Sequence, residues 1–510
     1  MGNDICLKIT NCDRVEKIKN NSKKIEKENV EIILLGNIYK RNYEKCGLEN
    51  IYNLYKVYGE RIYRYLDGVY SLIIIDYKMQ KLFVFQDYFG SNQNIYYYKD
   101  EKKIYLTNEL KQIILQHEQD WKINNNTVKQ FLKKGFVIGK ETLVKDINKI
   151  PSKKYLQVDL KNMSIRLKKY HYKEYRDKRV IDKKIYNNIF ESICLSAVPT
   201  EAVTTISSGY DTNYLLYTLR KNTNKHISAF CIGGKIGRNE VPDAKKICEN
   251  YENVIFNYKM VNDVSLYKYP EIVFALEGAI YESGIFLQYE LARLLKENNV
   301  HEIMLGECAD QVLNYELYHK RNLIINKIEY NIKKIIKKAL ESIDYKPYKD
   351  PYEMASYKIL KKNGILMNYM GVDTQYPYLR QEFIKVAKKV VKKGDMDKEY
   401  HKKVIKYILP SNVTEILKKI GGATELKTLF VGNIEFDDLK RISKDSEFYS
   451  DKKFDDKYYE IDYYMKIIYI ELFKKIFLKD RGKYLKQEIK DYDITYFFPN
   501  IENKEKMKDV

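Results

Sequence analysis

The chain has 510 residues, 45% of them hydrophobic and 14% aromatic, and its 91 Lys plus Arg against 70 Asp plus Glu give a net charge of +21. That length exceeds one hydrophobic core and predicts at least two domains, while the apolar fraction excludes an intrinsically disordered chain. The charge favours acidic partners and says nothing about fold.

Taken in chain order, the first third reads as β-rich. Residues 30–35 are apolar except for Glu31. Residues 70–76 and 81–86 are strand-like runs separated by Tyr77-Lys78-Met79-Gln80, which predicts a hairpin. Residues 94–98 and 103–107 repeat the pattern, residues 128–134 are helical, and residues 154–159 form another short strand. Short interleaved strands with few helices predict stacked antiparallel sheets. The character changes near residue 180. A β-branched run at 203–206 leads through small residues into a helix at 213–220. Strands follow at 227–232 and 253–257 around a helix at 242–250, and an amphipathic helix at 287–298 precedes a strand at 302–305. Strands alternating with helices predict a parallel sheet covered on both faces. Beyond residue 315 the pattern is helical and lysine-rich, and residues 320–338 read as the solvated face of a helix.

No window reaches the roughly 18 apolar residues of a membrane-spanning helix, and the N-terminus lacks a signal-peptide pattern. The 7 cysteines form no C-x-x-C pair and the 6 histidines take no ligand spacing. A disulfide framework and a zinc site are therefore not expected, and a cytoplasmic protein is.

Ligands of a parallel sheet bind in the loops at the carboxyl ends of its strands. Two such loops have unusual content. Ser207-Ser208-Gly209-Tyr210-Asp211-Thr212 offers small residues, two terminal hydroxyls and a following helix N-terminus, all suited to phosphate oxygens. Asp211 would repel phosphate and makes sense as a ligand of a shared Mg2+; a plain N-cap is the simpler alternative. Leu305-Gly306-Glu307-Cys308-Ala309-Asp310-Gln311 offers two carboxylates at another strand end. Both aspartates are expected in surface loops, with Asp310 completing the Mg2+ shell and Glu307 acting as a base.

Ser207–Thr212 resembles the S-G-G-x-D-S pyrophosphate loop of the ATP pyrophosphatases, and Gly306–Gln311 resembles the G-E-G-x-D-E loop of the asparagine synthetases. Phe230-Cys231-Ile232-Gly233 is similar to that family's F-x-V-G strand end, and Tyr376-Pro377-Tyr378-Leu379 to its V-P-F-L segment. Leu409-Pro410-Ser411-Asn412-Val413 resembles the L-P-E-x-V stretch before the catalytic lysine, with Lys418 at the matching spacing. Leu66-Asp67-Gly68-Val69-Tyr70-Ser71 resembles L-D-G-x-F-A, and the segment from Gln86-Asp87 through Gly90 to Tyr98 resembles R-D-x-x-G-x-x-P-L-Y-Y. The resemblance implies an α/β chain. Residues 1–175 would form a degenerate glutamine amidotransferase-like domain of stacked antiparallel sheets (Ntn-hydrolase type). Residues 180–510 would form a parallel-sheet ATP-pyrophosphatase synthetase domain with a helical C-terminal part.

The same resemblance implies ATP and Mg2+ as cofactors. Ser207, Ser208, Gly209, Asp211, Thr212, Ile232, Gly233, Leu305 and Gly306 would bind ATP and its pyrophosphate, Asp211 and Asp310 the metal, and Glu307 and Lys418 would be catalytic. A carboxylate would attack the α-phosphate, and an amine would then displace AMP to form an amide.

Departures narrow this. Gly2 stands where glutamine-hydrolysing members expose a cysteine, the family's N-G-E-I-Y reads Leu35-Gly36-Asn37-Ile38-Tyr39, and no H-R-G-P-D stretch is present. Cys6 has no amine base beside it and is not expected to replace the nucleophile. Ser208, Gln311 and Gln375 replace a Gly, a Glu and an Arg of the synthetase motifs. The expected activity is therefore amide formation without glutamine hydrolysis. Relatives of that kind are lasso peptide cyclases and β-lactam synthetases; the latter carry Tyr where Glu307 stands. A lasso-type macrocyclase leads, with ammonia-dependent asparagine formation or β-lactam-like ligation as alternatives, and a non-catalytic binding protein as the rival of another class. Expected partners are a carboxylate-bearing small molecule or precursor peptide and a protease or peptide-delivery protein. A homodimer is left open; membrane and nucleic acid are not expected.

Overall fold

Alternating apolar residues draw the first 170 residues into two antiparallel sheets. The computed structural model describes residues 4–10, 15–20, 22–40, 43–171, 180–198, 201–223, 226–234, 239–261, 266–313, 355–390, 398–418, 436–452, 454, 457–485 and 497–498. Gly2 and the lysine-rich 320–338 stretch lie outside them. The strands are β1 (Ile5–Thr10), β2 (Val15–Asn20), β3 (Lys23–Lys27), β4 (Val30–Tyr39), β5 (Asp67–Asp76), β6 (Lys81–Gln86), β7 (Tyr96–Lys99), β8 (Lys103–Thr107), β9 (Asn148–Lys149), β10 (Lys154–Asp159) and β11 (Ser164–Lys169). One sheet runs β2-β1-β8-β7-β9 and the other β11-β10-β6-β5-β4-β3.

Between the sheets, Ile5, Leu7 and Ile9 of β1 and Leu106 of β8 meet Leu35, Ile73, Ile75 and Val84. The outer faces are covered by helices. Helix Leu48–Tyr58 covers Ile32, Leu72 and Phe85, while helices Leu110–Gln116 and Asn125–Lys134 cover Tyr96, Tyr98 and Tyr105. Tyr97, between two tyrosines that face the helices, points into the layer between the sheets, as a period of two requires. The stacked antiparallel sheets expected from the sequence are present. Strands β2 and β3 carry no strand signal because lysines and glutamates interrupt them (Val-Glu-Lys-Ile-Lys-Asn and Lys-Lys-Ile-Glu-Lys). Each is the edge of its sheet, where charge discourages pairing with another chain.

The second half contains a parallel sheet of β12 (Ala202–Thr205), β13 (Ile227–Gly234), β14 (Val254–Val261), β15 (Glu302–Met304) and β16 (Asp373–Gln375), in the order β14-β13-β12-β15-β16. The chain builds outward from β12 to β14 and then returns to the other side of β12 for β15 and β16. The switch point therefore lies between β12 and β15, where a doubly wound sheet opens its ligand crevice. Strand β16 falls where the sequence reads as helical. Three residues are too few for a periodic signal, and pairing with β15 (Ile303 opposite Thr374) holds it.

The halves are joined by named contacts. Arg380 Nε lies 3.1 Å from Asp67 Oδ2, and its guanidinium sits 4.2 Å above the Tyr39 ring. Lys361 Nζ donates to the Gly90 carbonyl at 2.6 Å. Among the described residues no helix is long and apolar enough to cross a membrane.

Candidate nucleotide and acyl-transfer site

The two loops singled out by sequence follow β12 and β15 and meet at the switch point. The first is shaped by its own polar groups. Ser207 Oγ lies 2.9 Å from Thr212 Oγ1 and accepts from the Gly209 N–H at 3.1 Å. Asn213 Nδ2 donates to the carbonyls of Ser207 and Gly209 at 2.9 and 2.7 Å. Ser208 is fully buried, yet its hydroxyl has no hydrogen-bond partner among the described residues. No side chain caps the helix Tyr210–Lys221 that starts there. An orphaned hydroxyl and an uncapped helix start are the donors a phosphate oxygen needs, so these residues fit a polyphosphate.

The second loop packs against the first. A Cβ on Gly306 would lie 3.0 Å from Thr212 Cγ2, tighter than ordinary contact, so glycine is what permits this approach. Leu305 is buried, and its N–H donates to the Gln375 carbonyl at 2.9 Å. Cys308 turns the chain with φ +69. Glu307 is thereby left exposed, and Asp310 falls in the first turn of helix Ala309–Leu313.

Asp211 and Asp310 do not lie in free loops. Each opens a helix, and a lysine stands between them. Lys398 Nζ is 2.6 Å from Asp211 Oδ2 and 2.6 Å from Asp310 Oδ1, with its side chain only 4% exposed. His401 Nε2 lies 3.1 Å from Asp211 Oδ1, and Tyr186 Oη lies 2.8 Å from His401 Nδ1. Burial holds the His401 imidazole below its ordinary pKa. A neutral ring then donates from Nε2 to Asp211 and accepts the Tyr186 hydroxyl at Nδ1. Burial would raise the Asp211 pKa, but Lys398 and His401 outweigh it and hold the carboxyl well below the usual range. For Lys398 burial works downward, and the two aspartates outweigh it, so the ammonium stays charged. A divalent cation bound by Asp211 and Asp310 would occupy the place of the Lys398 ammonium. As arranged here, the pair does not fit one.

The other site residues divide as follows. Half-buried Ile232 and buried Gly233 end β13, beside the first loop, and a Cβ on Gly233 would collide with Asn239 Oδ1 at 2.5 Å. Lys418 comes close through its main chain, whose N–H donates to the Ser208 carbonyl at 2.9 Å. Its exposed ammonium instead pairs with Asp243 at 3.2 Å. Although solvent reaches the Glu307 side chain, the protein around it desolvates the carboxyl enough to push it above the ordinary value, against the pull of Lys362. Lys362 itself pairs with Glu282, to which Lys358 adds a contact at 3.2 Å. The enclosing charges hold the Glu282 carboxyl down, at about 2, against its own burial.

In the first half, Cys6 is buried near the start of β1 opposite Thr107, and burial pushes its thiol up to about 11. That is the environment of an inert structural cysteine. Two of the sequence departures converge in space. Asn37 Nδ2 and Gln375 Nε2 both donate to Glu302 Oε1 at 3.0 Å, which ties the two halves together beside β15.

Sequence reasoning missed Lys398, His401 and Tyr186. No motif contains Lys398, one lysine among many. Its left-handed backbone (φ 53) and the apolar face of the helix after it, with His401, Val404 and Ile405 buried, mark it only once the chain is folded.

Comparison with known proteins finds two matched segments. Residues 35–171 match the glutamine amidotransferase domain family and residues 199–434 the asparagine synthase family. No curated protein matches the chain. Among solved structures, the U34-tRNA thiolase NcsA from Methanococcus maripaludis is 14% identical over 49% of this chain and 82% of that one, with a TM-score of 0.23. The glutamine phosphoribosylpyrophosphate amidotransferase from B. subtilis is 9% identical over 60% of this chain and 75% of that one, with a TM-score of 0.20. With a glutamine amidotransferase domain ahead of an asparagine synthase domain, the chain has the architecture of the asparagine synthetase family, and the second domain supports an ATP-dependent C–N ligase.

Proposed function

We propose that this enzyme adenylates a carboxylate with ATP and passes the acyl group to an amine that does not come from glutamine, as a peptide macrocyclase of the lasso type does. The carrying observation is the fully buried, unpartnered Ser208 hydroxyl beside an uncapped helix start at the switch point. In the first step a substrate carboxylate oxygen bonds to the α-phosphorus, the bond to the bridging oxygen breaks, and pyrophosphate leaves. The loop from Ser207 to Thr212 holds the phosphates through hydroxyl and N–H donors, with Ile232 and Gly233 beside the nucleoside. In the second step the amine nitrogen bonds to the acyl carbon, AMP leaves, and Glu307 takes the proton that the nitrogen sheds. Its raised pKa suits a base better than an ordinary carboxylate would. Lys418 is anchored to the Ser208 carbonyl by its main chain, so its ammonium could reach the phosphates by leaving Asp243.

Glutamine is set aside because Cys6 is inert and because Asn37, in the amidotransferase pocket motif, spends its amide on Glu302. The retained Glu307 favours a peptide cyclase over a β-lactam former. Mixing the protein with ATP, divalent metal and a panel of carboxylates that includes precursor peptides should release pyrophosphate and AMP and close an amide. Release with free aspartate and ammonia alone would favour asparagine formation. Glutamate made from glutamine, above a heat-killed control, would refute the amine assignment.

A further inference from the structure

We propose that Lys398 is the resident cation of the nucleotide site and competes with a divalent metal for the Asp211–Asp310 carboxylate pair. The inference rests on the proposed function, in which this site takes ATP. Three observations carry it. Lys398 Nζ lies 2.6 Å from one oxygen of each carboxylate, at the point where one bridging cation would have to sit. Its side chain is 4% exposed against 22% for Asp211 and 41% for Asp310, so the ammonium is enclosed and screened less than in a pair exposed at both ends. The second oxygen of Asp211 is held by His401, which is braced in turn by Tyr186, so the carboxylate keeps its orientation whichever cation it faces.

The physical logic is one of charge. Two carboxylates from different helices repel each other unless a cation lies between them. The Lys398 ammonium removes that repulsion and keeps both groups at bridging separation. A metal arriving alone must displace it and gains only the difference between two cations. A metal arriving with ATP brings anionic oxygens to which the displaced ammonium can turn. Lys398 would thus make metal binding depend on nucleotide, and it adds a positive charge on the phosphate side of the site that no sequence motif announces.

The test uses Mn2+ alone, without nucleotide, on the full chain, with binding read by electron paramagnetic resonance. Lys398→Asn suits the left-handed backbone at this position and removes the charge. It should bind Mn2+ about tenfold more tightly than the native protein, a factor typical of coupling between ligands. Lys398→Arg keeps the charge and should stay near the native affinity, as should Lys403→Asn on the exposed side of the same helix. Should Lys398→Asn fail to fold, the native protein gives the answer. Mn2+ should speed acetylation of the Lys398 amine, read by peptide mass mapping, because the displaced ammonium leaves the Asp211 and Asp310 carboxylates. Unchanged or weaker Mn2+ binding by folded Lys398→Asn, an equal gain in Lys398→Arg, or acetylation insensitive to Mn2+ would each overturn the proposal. Pyrophosphate release is measured separately. Its failure with every carboxylate would sink the proposed function and would leave the cation competition to be judged on the Mn2+ data.

Discussion

Two parts of the molecule bury lysines and treat the charge in opposite ways. At the candidate nucleotide site Lys398 is enclosed but touches two carboxylates, and its pKa stays above the ordinary lysine value. Near the contact between the halves Lys149 is buried as deeply, but the acceptor of its ammonium among the described residues is the Val137 carbonyl, at 2.8 Å. The Tyr357 ring lies 5.6 Å from it. Burial, helped by repulsion from Lys361, pulls the Lys149 pKa down to about 7. Depth alone therefore does not decide whether a lysine keeps its proton. A carbonyl and a ring face leave the desolvation penalty largely standing, and a pair of carboxylates overcomes it.

The strongest way to break the contrast is to make the first region resemble the second. Asp211→Asn should abolish pyrophosphate release. It also leaves the Lys398 ammonium with one carboxylate, so denaturant titration should show a loss of about 3 kcal/mol, as for a broken buried pair. Asp310→Asn should also stop the reaction but cost less stability, because its side chain is 41% exposed against 22% for Asp211. Near-native pyrophosphate release by either variant would remove that residue from the site.

Glu307→Gln sharpens the comparison within the site, since Glu307 faces Lys362 and takes no part in the Lys398 pairing. ATP–pyrophosphate exchange should persist while amide formation falls by about 10² to 10⁴. Loss of both together would move Glu307 to the adenylation step.

Lys149→Met addresses the other region and is read through stability alone. With a folded pKa of about 7 against an ordinary 10.5, the unfolded chain binds more protons between those values. Native stability should therefore rise with pH across that window, by up to ~1.4 kcal/mol per unit, and be flat below it. The Met variant should lack the slope. Identical pH profiles for the two proteins, measured by thermal melting, would mean that Lys149 keeps its proton in the fold as Lys398 does.

Much of this was legible in the residues themselves. Apolar runs predicted β6, β8 and β10 to the residue, because a strand between two packed faces must be apolar wherever it touches them. The small residues of the Ser207–Thr212 loop and the glycine at Gly306 were visible because close backbone approach tolerates little else. Strands β2 and β3 escaped notice because a charged sheet edge carries the same residues as a loop, and β16 because three residues hold no period.

Local pattern and the steric needs of the backbone fix the order of the elements, the two sheet types and the two small-residue loops of the candidate site. Tertiary structure alone decided what those loops face. It brought the ends of β12 and β15 to one switch point, joined Asn37 to Gln375 through Glu302, and set Lys398 between Asp211 and Asp310. A lysine in a chain rich in lysines has no signature of its own. Only the fold, by excluding water and supplying two carboxylates from separate helices, turns one of them into a fixed charge at the site.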